Sequence, residues 1–109
     1  MIFSNLKKAN PANINHGNGR KLVFEQDGWD AETITQAAYG VMKAGEVCHM
    51  HMHESMIEVF YFVSGEGIYR IEEKEYPVEA GVYLRIDPGE YHELSVERDL
   101  HYFYIGIRS

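Results

Sequence analysis

Cysteine occurs once in this chain, at Cys48, so no intrachain disulfide can brace the fold. Long apolar runs are missing as well. Nothing approaches the ~18 consecutive apolar residues of a membrane-spanning helix. The opening Met1-Ile-Phe-Ser-Asn-Leu-Lys-Lys8 has neither an extended apolar core nor a small-residue cleavage site, so no secretory signal is expected and the chain reads as cytoplasmic. Basic charge is scarce. Ten Lys and Arg stand against 17 Asp and Glu, for a net charge of −7, and the basic residues are scattered singly or in pairs. Nucleic acid and anionic membranes both need a basic patch, so neither is an expected partner. No segment carries a convincing 3.6-residue period, and there is no internal repeat or linker.

The 109 residues, 45% of them apolar, suffice for one packed domain over 1–109 that buries about 60–70% of its unfolded-chain surface. Residues 1–32 read as an N-terminal extension: a short apolar patch (Ile2, Phe3, Leu6), two turn-rich stretches including His16, and one strand from Lys21 to Glu25 that stops at Asp27-Gly28. From Thr33 onward the chain reads as barrel core. A strand is expected over Thr33–Lys43, then over Val47–His53, Ile57–Val63, Gly67–Glu73, Tyr76–Glu79, Val82–Ile86, His92–Val96 and Leu100–Ile107. Turn signals separate them, among them Ser64-Gly-Glu-Gly67, Asp87-Pro-Gly89 and Glu97-Arg-Asp99. Short strands at even spacing predict an all-β sandwich or barrel.

The densest chemistry lies in Gly45-Glu-Val-Cys-His-Met-His-Met-His-Glu-Ser-Met-Ile-Glu58. Strand side chains alternate, so His49, His51 and His53 are expected on one face, with Glu58 arriving from the next strand. Imidazoles beside a carboxylate suit a divalent metal. Parity places Glu58 with Phe60 and Phe62, and His92 with Leu94 and Val96, so both titratable groups point inward. A buried ionised carboxylate has to be paired or bound to a metal.

These residues resemble the two motifs of the cupin superfamily. The first reads Gly, five residues, His-x-His, three or four residues, Glu, six residues, Gly, and is filled by Gly45, His51, His53, Glu58 and Gly65. The second reads Gly, five residues, Pro-x-Gly, two residues, His, three residues, Asn. Gly81, Gly89 and His92 fill it, while Asp87 stands in the proline slot, with Pro88 after it, and Val96 in the asparagine slot. The resemblance implies a double-stranded β-helix (jelly-roll) barrel. It also implies one divalent ion (Fe, Mn, Ni, Cu or Zn) on His51, His53, Glu58 and His92, with positions left open for a small-molecule ligand. Relatives of this kind include dioxygenases, isomerases and decarboxylases, so an enzyme acting on a small organic substrate is expected. The alternative is a non-catalytic binding or sensor module.

His49 is expected at the pocket mouth and is the one candidate for a catalytic base; Phe60 and Phe62 are expected to line the pocket. His101, on a face with Phe103, Ile105 and Ile107, reads as a core histidine. Tyr83 and Arg85 read as contacts for an anionic substrate or as plain exposed positions. Finally, Cys48-Met50-Met52, Ile57-Val59-Tyr61-Val63 and Tyr102-Tyr104 give apolar outer faces, covered by a second layer of the chain or by a second copy in a homodimer.

Overall fold

The computed structural model describes residues 1–13, 20–25 and 33–109. The strands are β1 (Ile2–Asn5), β2 (Asn10–Asn13), β3 (Arg20–Val23), β4 (Thr33–Met42), β5 (Val47–His51), β6 (Met56–Ile71), β7 (Lys74–Glu79), β8 (Val82–Ile86) and β9 (His92–Arg108). His16 and Asp27-Gly28 lie outside the described residues. All pairings are antiparallel. One sheet runs β1-β8-β6-β9-β4, with β5 added on β9 and β7 on β6, and β2 and β3 form a separate ribbon. The strand pattern predicts an all-β sandwich or barrel, and this is the jelly-roll barrel that the cupin resemblance implies. None of the described helices is long and apolar enough to cross a membrane.

Two differences from the sequence reading matter. The turn-rich Asn10-Pro-Ala-Asn13 is a strand, paired with β3. More consequentially, β6 and β9 are single strands of 16 and 17 residues where four shorter ones were expected. Ser64-Gly-Glu-Gly67 and Glu97-Arg-Asp99 are corners inside those strands, not turns. The β6–β9 register shifts between Phe62 and Gly67, so the paired strands bend together and pass from one half of the barrel to the other. Beyond the corner β6 changes partner, from β8 (Glu58–Tyr61) to β7 (Glu66–Ile71). Gly65 makes the corner possible. Its φ is +96°, and a Cβ there would overlap the Asp99 carbonyl.

The core sits between the two halves. Phe62, Leu84, Ile86, Leu94 and Leu100 are essentially inaccessible, and Phe60, Tyr69, Ile71, Val78, Val82 and Val96 complete the cluster. Each comes from the inward parity of its strand. On the outside, Phe24 stacks on Tyr83 at 4.8 Å and also touches Tyr61. Glu25 accepts from the Tyr83 hydroxyl and pairs with Arg85 at 2.7 Å. The N-terminal segment is thus a second layer over β6 and β8. Tyr83 and Arg85 are engaged by that layer. The β4–β9 side has no such cover among the described residues: Tyr39, Val41 and Phe103 are exposed there.

Candidate metal centre

Three elements deliver the donor groups. Glu58 enters from β6, where Glu58 pairs with Ile86 on one side and Gly106 on the other, so the carboxylate is fixed at the centre of the sheet. His92 starts β9, opposite His51 at the end of β5. The turn before His92 is clamped twice. Gly89, at φ +84°, donates its N–H to the His53 carbonyl, and the Tyr91 N–H is received by the Glu72 carboxylate at the tip of the β6–β7 hairpin. The two sequence motifs therefore hold each other.

His51, His53, Glu58 and His92 each offer a ligand atom, and these atoms lie within 4.8 Å of one another. The histidine tautomers follow from the backbone. Nδ1 of His51 faces the His49 carbonyl at 2.7 Å, and Nδ1 of His92 faces the Glu90 carbonyl at 2.9 Å. A carbonyl only accepts, so both Nδ1 atoms donate, and both Nε2 atoms turn inward. There His92 Nε2 stands 3.1 Å and His53 Nε2 3.4 Å from Glu58 Oε1. Although close, Glu58 Oε1 and His92 Nε2 are buried without a well-directed hydrogen bond. Burial pushes the Glu58 carboxyl up, but the close His92 imidazole and the charges of His53, His92 and His51 outweigh it and leave it below its ordinary value. Burial pulls His92 down, yet the close Glu58 carboxylate and the bond to the Glu90 carbonyl outweigh that and raise it.

The donor set fits a divalent ion. Donors at ~2.1 Å from one ion lie at most ~4.2 Å apart, so a contraction of about half an ångström closes the cluster. Imidazole and carboxylate suit Fe, Mn, Ni, Cu and Zn alike. The backbone carbonyls behind His51 and His92 supply the outer support that orients metal-binding imidazoles.

Three of the donors, His51, Glu58 and His92, line a cavity of about 280 Å³. His51, Glu58, Phe60 and His92 line it, as do Cys48, Tyr69, Tyr102 and Tyr104. The Tyr104 hydroxyl donates to Met56 Sδ at 3.9 Å, and its pKa is pushed up to about 12 by burial and by the neighbouring Glu58 carboxylate. Gly40 faces Tyr102 so closely that any Cβ there would run into the ring.

Several expectations need correction. His49 is exposed and does not line the cavity. A bulge between Cys48 and His51 adds one residue to β5, which reverses the alternation, so Cys48 shares the inward face with His51 and His49 turns out. Phe62 is fully buried beneath Phe60 and forms core, not cavity wall. Tyr102 and Tyr104 face inward, against Phe60, and not out toward a partner. His101 is on the outer face, where Nδ1 meets the Tyr39 hydroxyl at 3.2 Å. The turn signal at Glu97-Arg-Asp99 hides the inward tyrosines in the sequence, because it divides β9. Read as one strand, it gives Tyr102 and Tyr104 the same parity as His92 and Leu94.

The family model of the cupin domain matches residues 38–105, well over half of the chain. An oxalate-binding protein of Thermotoga maritima is 34% identical over 50 residues, an alignment covering 46% of this chain and 41% of that protein, so the chain matches less than half the length of this curated relative. Among solved structures, a predicted oxalate decarboxylase from Thermotoga maritima superposes over 100% of both chains with a TM-score of 0.65 at 22% identity. A salicylate 1,2-dioxygenase variant from Pseudoaminobacter salicylatoxidans gives a TM-score of 0.60 at 17% identity, covering 64% of this chain and 20% of that one. At such identities the structural likeness speaks for the fold alone. With both motifs, the barrel and the family match in agreement, the chain belongs to the cupin family.

Proposed function

We propose that this cupin is a metal-dependent enzyme acting on a small organic substrate, with one divalent ion held by His51, His53, Glu58 and His92. The observation that carries this reading is the convergence of four donors, two of them with orphaned buried atoms, beside a cavity large enough for a ligand. When bound, the ion would supply Lewis acidity or a dioxygen-binding centre. The chain's own residues do the rest. The carbonyls of His49 and Glu90 hold two imidazoles in their ligating tautomer, Tyr104 places its hydroxyl near the Glu58 carboxylate, and Phe60 and Leu94 give the wall apolar surface. The reaction belongs to the dioxygenase, isomerase or decarboxylase type. The single thiol, Cys48, lines the cavity, and a reducing cytoplasm would keep it a thiol.

A binding or sensor module is the second reading, favoured by the relative named for binding oxalate. Fe(II)- or Mn(II)-loaded protein offered a panel of catechols, thiol-carboxylates and keto acids decides between them. Oxygen uptake or product formation that collapses in Glu58→Ala supports the enzyme. Ligand binding without any product under any metal supports the module.

The reading also includes a homodimer. The bare face of β4 and β9, with Tyr39, Val41 and Phe103, is the apolar surface that a second copy would cover. It replaces the face of Cys48, Tyr102 and Tyr104, which the cavity occupies.

A further inference from the structure

No cationic side chain among the described residues lines the cavity, and Glu58 is its one carboxylate. Arg85 is engaged elsewhere, by Glu25 at 2.7 Å and Asp87 at 3.1 Å. Any positive charge at the site therefore comes from the bound ion. A divalent ion with Glu58 leaves one net positive charge in a buried setting. A monoanionic ligand brings that centre to neutrality, whereas a dianion leaves a negative charge beside Glu58 with nothing to pair it. Uncompensated charge in such surroundings is costly.

The wall describes the body of the ligand. Phe60, Leu94 and Met42 give apolar surface, and Tyr69, Tyr102 and Gln36 carry polar groups without charge. The volume of about 280 Å³ equals roughly nine waters at ~30 Å³ each, enough for one ring with a chelating head. A two-carbon diacid would leave most of it unfilled. We infer that this site takes a monoanionic chelator with a flat, uncharged, partly apolar body about one aromatic ring in size, and that it selects against compact dianions. The inference rests on the metal-centre reading above.

Calorimetry on Mn(II)-loaded protein at neutral pH tests it, using 2-hydroxybenzoate as the monoanionic aromatic probe and oxalate as the compact dianion. Metal content is measured on the same samples before and after titration. We expect 2-hydroxybenzoate to bind at least tenfold more tightly than oxalate. Gln36→Lys, which introduces a cation into the wall, should move the ratio at least tenfold toward oxalate. Gly40→Ala, whose Cβ would overlap the Tyr102 ring in the cavity wall, should weaken 2-hydroxybenzoate at least tenfold while metal content stays unchanged. Oxalate binding as tightly as 2-hydroxybenzoate to protein that keeps its metal overturns the ligand class and leaves the metal centre standing. Wild-type protein that holds no metal overturns both, and the metal analysis identifies that case. If either variant does not fold, the wild-type ratio alone decides.

Discussion

Nε2 of His92 and Oε1 of Glu58 face each other at 3.1 Å in the core, each short of a well-directed hydrogen bond. With the His92 Nδ1 proton committed to the Glu90 carbonyl, the two inward atoms are acceptors that need a cation between them. A metal ion can fill that role, or a second proton on His92. These two occupants compete, and most of the measurable behaviour of the site follows from that competition.

Metal content should be about one divalent ion per chain, as four convergent donors make a single first shell. His51→Ala and His92→Ala each remove an inner donor and should lose most of the metal after dialysis. His49→Ala should retain it, because His49 is exposed and contributes only its backbone carbonyl. Elemental analysis reads all three. Equal metal in wild type and in a His51→Ala/His92→Ala double variant would dismiss the assignment.

The response to pH has two parts. In metal-free protein the His92 pKa is raised above 6.5, so its stabilising contribution is complete below that value and disappears as pH climbs through the raised pKa. Glu58 is lowered below 4.5, so its contribution is present above 4.5 and disappears as pH falls through the lowered pKa. The pair should support the metal-free fold most between pH 4.5 and 6.5. The stability gap between wild type and His92→Gln, from urea unfolding, should narrow above that window. Metal affinity should move the other way and fall as protons reclaim His92. Full occupancy under a chelator at about pH 4, below the ordinary imidazole range, would point to a different ligand set.

Tyr104→Phe removes the hydroxyl that neighbours the Glu58 carboxylate and reaches Met56 Sδ, while keeping the ring against Phe60. Losing such outer support typically weakens a metal by ~10–100-fold, so about tenfold is expected in a chelator competition, with the unfolding midpoint of the metal-free protein little changed. An unaltered metal affinity would remove Tyr104 from the site's support.

Gly65 and Gly89 separate strain from clash. Both have positive φ, but a Cβ at Gly89 meets nothing within 4 Å, while one at Gly65 overlaps the Asp99 carbonyl. Gly89→Ala should cost about 1 kcal/mol of backbone strain. Gly65→Ala should cost about 3 kcal/mol or more, because the β6–β9 corner must open. Similar denaturation midpoints for the two variants would contradict this account of the corner.

The bare β4–β9 face gives a mass prediction. Sedimentation at micromolar concentration should show a dimer of the 12.6 kDa chain, and Phe103→Glu should convert it to monomer by placing a charge in the apolar contact. A wild-type monomer under the same conditions ends the dimer reading.

Local alternation was enough to identify this protein's class and much of its site. Glu58 and His92 each sit among apolar residues at a period of two, and that pattern alone turned both inward. The spacing of His51, His53 and Glu58 was legible for the same reason, as were the bounds of β8. What alternation cannot carry is a change of phase. The extra residue in β5 exposes His49 and brings in Cys48, and it exists because His51 has to pair with His92, a residue 41 positions away in the sequence. The corner in β6 and β9 looks like a pair of turns when each strand is read alone. It is a bend because Gly65 packs against Asp99 and the two strands continue together. Tyr102 and Tyr104, which furnish the cavity, depend on that continuity. Side-chain chemistry and short-range period thus belong to the sequence, while phase across a bulge or a corner is decided by the partner strand and appears only when the sheet is assembled.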